Sequence, residues 1–333
     1  VILPEHPFAP FVRILGKGPH LSRPLTLDEA RAAGRMIMDG AVEPEQLGAF
    51  LCLLRVKIET PDELAGLALA VRESMTVPSP RPAVDIDWPS YAGKARRAPL
   101  FILAALLLAQ NGLSIAMHGT EGHTAGRVYT EETLARLGVP AATSLTDAAG
   151  QLARRHFTFM PLGLLHPRLP DLMELKWLLG VRSPLHSVLR HVNPFDARLT
   201  LVSVFHPNYR PLHRDAALAM GQRDIACFKG DGGEVERRPE KPCLVEGLRD
   251  GCVFSEEWPP TLDMAGAGDS PLDPDYLAGL WRGACADPLA EAAVTGTAAL
   301  VLRCAGRAGS FAEAEALARK LWAGRRRDGG LAA

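Results

Sequence analysis

Residues 25–66 read LTLDEARAAGRMIMDGAVEPEQLGAFLCLLRVKIETPDELAG, and their punctuation sets the architecture of the first third of the chain. Thr26-Leu27-Asp28-Glu29 is a capping box: the threonine oxygen accepts the N3 amide, and the glutamate reaches back to the threonine's own amide. The helix it opens is expected to run to Asp39 and stop at Gly40, which suits a left-handed C-terminal cap. Pro44 fits a first helical position, and Leu47, Leu51 and Leu54 recur at helical spacing. Thr60-Pro61-Asp62-Glu63 repeats the capping logic, with Leu64, Leu67 and Val71 as its apolar stripe. Three short amphipathic helices of this kind make a small bundle.

Val77-Pro78-Ser79-Pro80-Arg81-Pro82 interrupts the pattern, and alternating prolines favour an extended linker, so a domain boundary falls near residue 80. Beyond it strands alternate with helices. Val84, Ile86 and Trp88 alternate with Asp85 and Asp87, and a helix is expected over Ala98–Asn111 with Pro99 at its first position. Further strands are expected at Ser114–Met117, Phe157–Met160, Arg198–Phe205, Asp224–Phe228 and Cys243–Glu246, with helices again from Tyr276 onward. The pattern is that of an α/β domain with a mostly parallel sheet, preceded by an N-terminal helical domain.

A chain of 333 residues with 47% hydrophobic residues can bury a full core, and its length suggests two domains. The net charge of −1 means that any nucleic-acid role must come from local patches. The longest apolar run, Ala98–Ala109, is shorter than the ~20 residues of a membrane span. No secretory pattern opens the chain, and its six cysteines form no CxxC pair. Reduced thiols in a cytoplasmic protein are the expectation.

Residues 88–101, WPSYAGKARRAPLF, join a strand to a helix, where α/β proteins hold phosphates on free helix N–H groups. Tight backbone binding of pyrophosphate needs several glycines, and this loop has only Gly93. It offers three cations instead, Lys94, Arg96 and Arg97, placed unfavourably for a helix dipole unless an anion joins them. A solvated loop with its cations pointing outward explains the same spacing. A second strand-end loop, Met117–Arg127, has three glycines with His118, His123 and Arg127. The histidines lack a clear third metal partner and read best as hydrogen-bonding groups. In the third, Phe228–Glu236, the acids Asp231, Glu234 and Glu236 could hold magnesium, although a Gly/Asp-rich turn explains them too. Basic residues also mix with aromatics at Tyr209-Arg210, His213-Arg214, Arg237-Arg238 and around Trp322, as suits single-stranded nucleic acid. Cations at the end of the last helix equally complement its dipole. No Ser-His-Asp or Cys-His set stands out.

Taken together, Leu25–Ala30, Met38–Gly40, Gln46–Leu51, Leu54–Lys57 and Glu59–Gly66 resemble the helical N-terminal domain of anthranilate phosphoribosyltransferases of glycosyltransferase family 3. Met117-His118-Gly119 resembles the family's Lys-His-Gly-Asn-Arg motif, and Phe159–Pro161, His166-Pro167, Leu179–Ser183, Asn193-Pro194 and Phe205–Pro207 resemble later landmarks. The resemblance runs from about Pro19 to Cys252. It implies a helical domain of residues 1–80 joined by helices from about 168–195, an α/β domain of residues 81–167 and 196–333, and a homodimer formed through the helical domain.

The departures from the family pattern concern the site. The family's Gly-Thr-Gly-Gly-Asp pyrophosphate loop corresponds to Tyr91-Ala92-Gly93-Lys94-Ala95. Met117 stands for its lysine and Thr120 for its asparagine, and its magnesium-holding Asp-Glu pair is reduced to Glu234 with a non-acidic neighbour. Arg182 matches the family's anthranilate-contacting arginine. This pattern is similar to the YbiB-type branch, which implies a non-catalytic homodimer that binds nucleic acid, single-stranded DNA included, without a cofactor. Lys94, Arg96, Arg97, Tyr209, Arg210 and Arg214 are then the candidate contacts. The alternative is a phosphoribosyltransferase using phosphoribosyl pyrophosphate and Mg, with Gly93, His118, Gly119, Thr120, Arg127 and Arg182 lining the pocket and Glu234 on the metal.

Overall fold

The structure, a computed structural model, describes residues 4–18, 20–122, 124–263 and 270–327. Four helices come first: α1 (Ala9–Gly16), α2 (Leu27–Met38), α3 (Pro44–Lys57) and α4 (Pro61–Ser74). Thr26 and Thr60 both accept the N3 amide while Glu29 and Glu63 return the bond, and Glu43 with Gln46 forms a third box ahead of α3. After α2, Gly40 takes φ +73°.

The remainder is β1 (Ile86–Ser90), α5 (Phe101–Gln110), β2 (Ile115–Gly119), α6 (Thr130–Arg136), α7 (Leu145–Arg155), β3 (Phe157–Pro161), α8 (Leu162–Leu165), α9 (Leu169–Leu179) and α10 (Leu185–Val188), followed by β4 (Leu199–Val204), α11 (Tyr209–Ala219) and β5 (Asp224–Lys229). A hairpin of β6 (Cys243–Arg249) and β7 (Cys252–Trp258) then precedes α12 (Pro274–Arg282), α13 (Pro288–Cys304) and α14 (Phe311–Ala323). The seven strands form one sheet in the order β3-β2-β1-β4-β5-β6-β7. Strands β1 to β5 pair in parallel, and β6 and β7 are antiparallel.

Each face of the sheet has its own apolar core. On one side α5, α13 and α14 pack around Ile86, Trp88, Phe157, Phe159 and Phe228. Every residue of α5 from Phe101 to Ala109 is buried, which explains the longest apolar run as a core helix. On the other side the N-terminal helices share a core with Leu169, Leu172 and Met173 of α9 and Leu185 and Val188 of α10. The direction of connection reverses at β1, which lies between β2 and β4, so the crevice outside its C-terminal end is where a sheet of this type takes a ligand.

Two expectations are corrected. The helix expected from Pro99 begins at Phe101, because the amide of Phe101 is capped from a distance by Glu236 Oε2 at 2.9 Å. The last strand, β7, was missed although Asp250-Gly251 is a hairpin signal and both residues take positive φ, 51° and 80°.

The two halves meet at a histidine pair. His191 Nε2 and His213 Nδ1 lie 2.7 Å apart with stacked rings, while Arg72 Nε donates to the His191 carbonyl at 3.0 Å. Burial, reinforced by the charges of Arg72 and Arg190, pushes the His191 pKa from 6.5 down to about 3. Burial and the charges of His191 and Arg190 likewise hold His213 well below its ordinary value. The unfolded chain therefore binds protons below pH 6.5 that the folded chain does not, so acid destabilises the fold between pH 6.5 and about 3. Urea unfolding should show stability falling by on the order of 1.4 kcal/mol per pH unit for each histidine as pH drops below 6.5. In a His191→Asn/His213→Asn variant that slope should be largely gone, and an unchanged slope would refute the account.

Candidate functional site

The loop leaving β1 reaches the switch-point crevice, but its anion-binding groups are already engaged. The amides of Ala92 and Gly93 each donate to Glu234 Oε1 at 2.7 Å. Ser90 Oγ donates to Oε2 of the same carboxylate at 2.9 Å, and Thr130 Oγ1 in turn lies 2.6 Å from Ser90 Oγ. Burial pushes the Glu234 pKa up, opposed by the Arg190 charge and by these hydrogen bonds. Glycine is required at Gly93 on two counts: its φ is +68°, and a Cβ would come within 2.9 Å of the Tyr129 ring. At Gly119 a Cβ would meet the Ser90 carbonyl oxygen at 2.1 Å, so β1 and β2 approach closely there.

Lys94, expected as a flexible surface cation, is buried at 1% exposure. Its ammonium donates to Glu236 Oε1 at 2.7 Å and also to Asp231, and its backbone pairs with Val128. Burial works to lower its pKa, but attraction to Glu236 and Asp231 wins and the net shift is upward. Burial pushes the Glu236 pKa to about 6 even with Lys94 opposing. The three cations of the loop therefore have three fates. Lys94 is inside, Arg97 is half-buried and reaches Glu240 at 3.3 Å, and Arg96 is exposed.

The other expected contacts are also partly neutralised. Arg210 Nε donates to Glu246 at 2.5 Å, Arg214 Nε to Asp215 at 2.7 Å, and the Tyr209 hydroxyl accepts from Arg55 at 3.4 Å. His118 is no metal ligand. Its Nδ1 lies 2.6 Å from the buried Tyr91 hydroxyl and its Nε2 lies 3.0 Å from Asp87 Oδ1, so both ring nitrogens are occupied. His123 lies outside the described residues. Thr120 is half-buried just past the end of β2. In the basic C-terminal segment Arg325 is structural, capping carbonyls of Leu280, Trp281 and Trp322, while Arg326 and Arg327 are exposed. Arg237 is buried against Glu315 at 2.9 Å.

Positive charge gathers at the rim of the crevice instead. Arg127 donates to the carbonyls of Ala92 and Gly93 at 2.7 and 3.1 Å, so its charge has no carboxylate there. Burial lowers the Arg182 pKa, and the charges of Arg127 and Arg55 lower it further. Lys176 is lowered by burial, then by Arg182 and Arg127, and Arg190 by burial and by Arg182. Arg55, Arg127, Lys176 and Arg182, from α3, the β2–α6 loop, α9 and the segment after it, thus carry like charges that feel one another, whereas Arg190 is turned inward, its charge attracted by Glu234. Sequence reading found Arg127 and Arg182 but missed Arg55, Lys176 and Arg190, which carry no local motif.

The donor set does not suit magnesium. Both oxygens of Glu234 accept N–H or O–H groups, and Asp231 and Glu236 close on the Lys94 ammonium. Among the described residues no group of three or more His, Cys, Asp or Glu side chains is arranged to hold a metal ion.

A family model described as the helical bundle domain of a glycosyl transferase family matches residues 10–75. The chain is 30% identical over 235 residues to an uncharacterized protein, YbiB, of Escherichia coli (strain K12), covering 69% of this chain and 72% of that protein. It is also 30% identical over 320 residues to an anthranilate phosphoribosyltransferase of Rhizobium meliloti (strain 1021), covering 93% of this chain and 92% of the relative. The anthranilate phosphoribosyltransferase of Saccharomyces cerevisiae, solved in complex with PRPP and Mg, superposes with a TM-score of 0.74 at 16% identity, over 95% of this chain and 93% of that one. At that identity the likeness concerns the fold.

Replacing Lys94 should separate a buried charge from a surface one. Lys94→Met leaves Glu236 buried without its ammonium and Asp231 with only Arg238 at 3.9 Å, and urea denaturation should show a loss of about 3–5 kcal/mol. Arg96→Ala should change stability by no more than about 0.5 kcal/mol.

Proposed function

The chain belongs to the anthranilate phosphoribosyltransferase-like family of glycosyltransferase family 3, and on that premise we propose that it is a non-catalytic member that binds single-stranded nucleic acid as a homodimer. One observation carries the reading: the backbone amides of Ala92 and Gly93, where the family pattern puts a pyrophosphate cradle, already hold the carboxylate of Glu234 at 2.7 Å. A phosphoryl group entering there has to displace Glu234 or sit beside it. Two unit negative charges ~4 Å apart repel by about 4 kcal/mol at an effective dielectric near 20. The helix start at Phe101 is closed in the same way by Glu236. The Lys94 ammonium bonds both Asp231 and Glu236, which cancels one of their two charges and takes up the oxygens that a divalent ion would need.

Anion binding then falls to the rim, where long side chains neutralise phosphates without fixing a reactive geometry. Arg127, Lys176 and Arg182 suit a polyanion, whose affinity grows with each phosphate neutralised and each counterion released. An exposed apolar face supports pairing of two copies. Val56 on α3 is 85% exposed, and Trp177 and Leu178 on α9 are 65% and 82% exposed. The two helices touch, since a Cβ at Gly48 would lie 3.4 Å from Leu179. In the dimer, the cations beside this face, Arg55 and Lys176, would be brought next to their counterparts on the second copy.

The second reading, phosphoribosyl transfer with a divergent acceptor, is favoured by the match to a transferase across 92% of that relative's length and by the exposed Arg182. Calorimetry with phosphoribosyl pyrophosphate and Mg distinguishes the two, because measurable binding would favour the transferase. For the nucleic-acid reading, fluorescence anisotropy with labelled oligothymidylate should give an affinity that falls with salt. The log–log slope should be near −0.7 per phosphate contact, and shallower in Lys176→Ala/Arg182→Ala. No binding at low salt, or binding indifferent to salt, would sink it. In sedimentation velocity the wild type should run as a dimer and Leu178→Glu as a folded monomer.

A further inference from the structure

We propose that the cleft above the ends of β4, β5 and β6 seats a short segment of single-stranded nucleic acid, with a base stacked on Phe205 and the flanking phosphates held by Arg96, Lys229 and Lys241. This assignment rests on the nucleic-acid reading and names its surface, of which the sequence patterns marked Arg96 but not Phe205, Lys229 or Lys241 as contacts. The cleft encloses about 680 Å³ and is bordered by the Gly230–Gly232 turn. Seven basic side chains and two carboxylates line it.

The balance of charge within the cleft singles out three of those cations. Lys94 is closed on Asp231 and Glu236, Arg210 on Glu246, and Arg238 on Glu240. Among the described residues Arg96, Lys229 and Lys241 are exposed and make no ion pair, and the seventh cation, Arg127, is half-buried on the carbonyls of Ala92 and Gly93. Arg96 lies in the loop after β1, Lys229 is the last residue of β5, and Lys241 lies near the end of the connection from β5 to β6. Phe205, the first residue beyond β4, is 61% exposed, whereas all six residues of β4 are buried. Among the described residues its ring meets that of His206, in an edge contact at 5.0 Å and 79°. Leaving most of a phenylalanine in water forgoes favourable burial, which a stacked base restores.

The same loops are poor at holding a free nucleotide. The Gly230 amide donates to Ser203 Oγ at 3.1 Å and the Asp231 amide to the Glu236 carbonyl at 2.8 Å, so the turn has no backbone nest for a terminal phosphate. A strand gains instead from several weak contacts at once. A duplex hides its base faces from Phe205, so single strands are preferred.

The test is anisotropy with fluorescein-labelled oligothymidylate of about 16 nucleotides, a hairpin duplex of similar length, and AMP as competitor. Phe205→Ala should weaken single-strand binding by about 5- to 100-fold with an unchanged salt slope, and Phe205→Trp should keep it. Lys229→Ala/Lys241→Ala should reduce the magnitude of the salt slope by about 1.4. Leu21→Ala, which removes an exposed apolar side chain elsewhere, should bind as the wild type does. Thermal melts check that each variant is folded. If the wild type binds and the Phe205 and lysine variants match it, the cleft is not the site although the nucleic-acid reading stands. If the wild type does not bind, that reading fails and takes the cleft with it. Competition by micromolar AMP, or equal affinity for the duplex, overturns a single strand as occupant.

Discussion

An ammonium group at 1% exposure is tolerated only with carboxylates at hydrogen-bond range, and the crevice is organised around that requirement at Lys94. Glu236 meets it with one oxygen and caps the first amide of α5 with the other, so a single side chain fixes both the loop after β1 and the start of the central helix. Asp231 closes the ammonium from the turn after β5. Two residues before Glu236, Glu234 binds the amides of the β1 loop from beneath. The two loops that flank the topological switch point are thereby stitched together by ions and hydrogen bonds of the chain itself.

That stitching separates the interior of the crevice from its rim. Inside, donors are matched to internal acceptors, and burial raises the carboxyl pKa values of Glu234 and Glu236 even as their partners oppose the shift. At the rim, cations such as Arg96, Arg182, Lys229 and Lys241 remain exposed. Transfer chemistry needs rigid donors aimed at a developing charge. Binding a polymer of phosphates needs only mobile positive charge along a path. A family scaffold can support either, because function resides in the site rather than in the fold.

Much of the scaffold was legible in the sequence because its signals are local. The capping boxes at Thr26 and Thr60 act across three residues, and Gly40 ends α2 through its own φ. The strand–helix alternation after the proline segment correctly gave a mostly parallel sheet, and only the antiparallel hairpin partner β7 escaped. Its outward residues include Ser255 and Glu257, so it lacks the apolar run that marked its neighbours.

The site was less legible, since residue type does not encode exposure. In Lys94-Ala95-Arg96-Arg97 the cations look equivalent, yet one lies inside, one stands in solvent and one reaches Glu240. The partners of Lys94 are 137 and 142 residues away, and no pattern within the loop announces them. The sequence by itself determined the helical bundle, the mostly parallel sheet and the family, because capping, periodicity and motif similarity are properties of neighbouring residues. Only the tertiary structure decided which charges are buried and which face solvent, because an ion pair forms between whatever the folded sheet brings within about 3 Å.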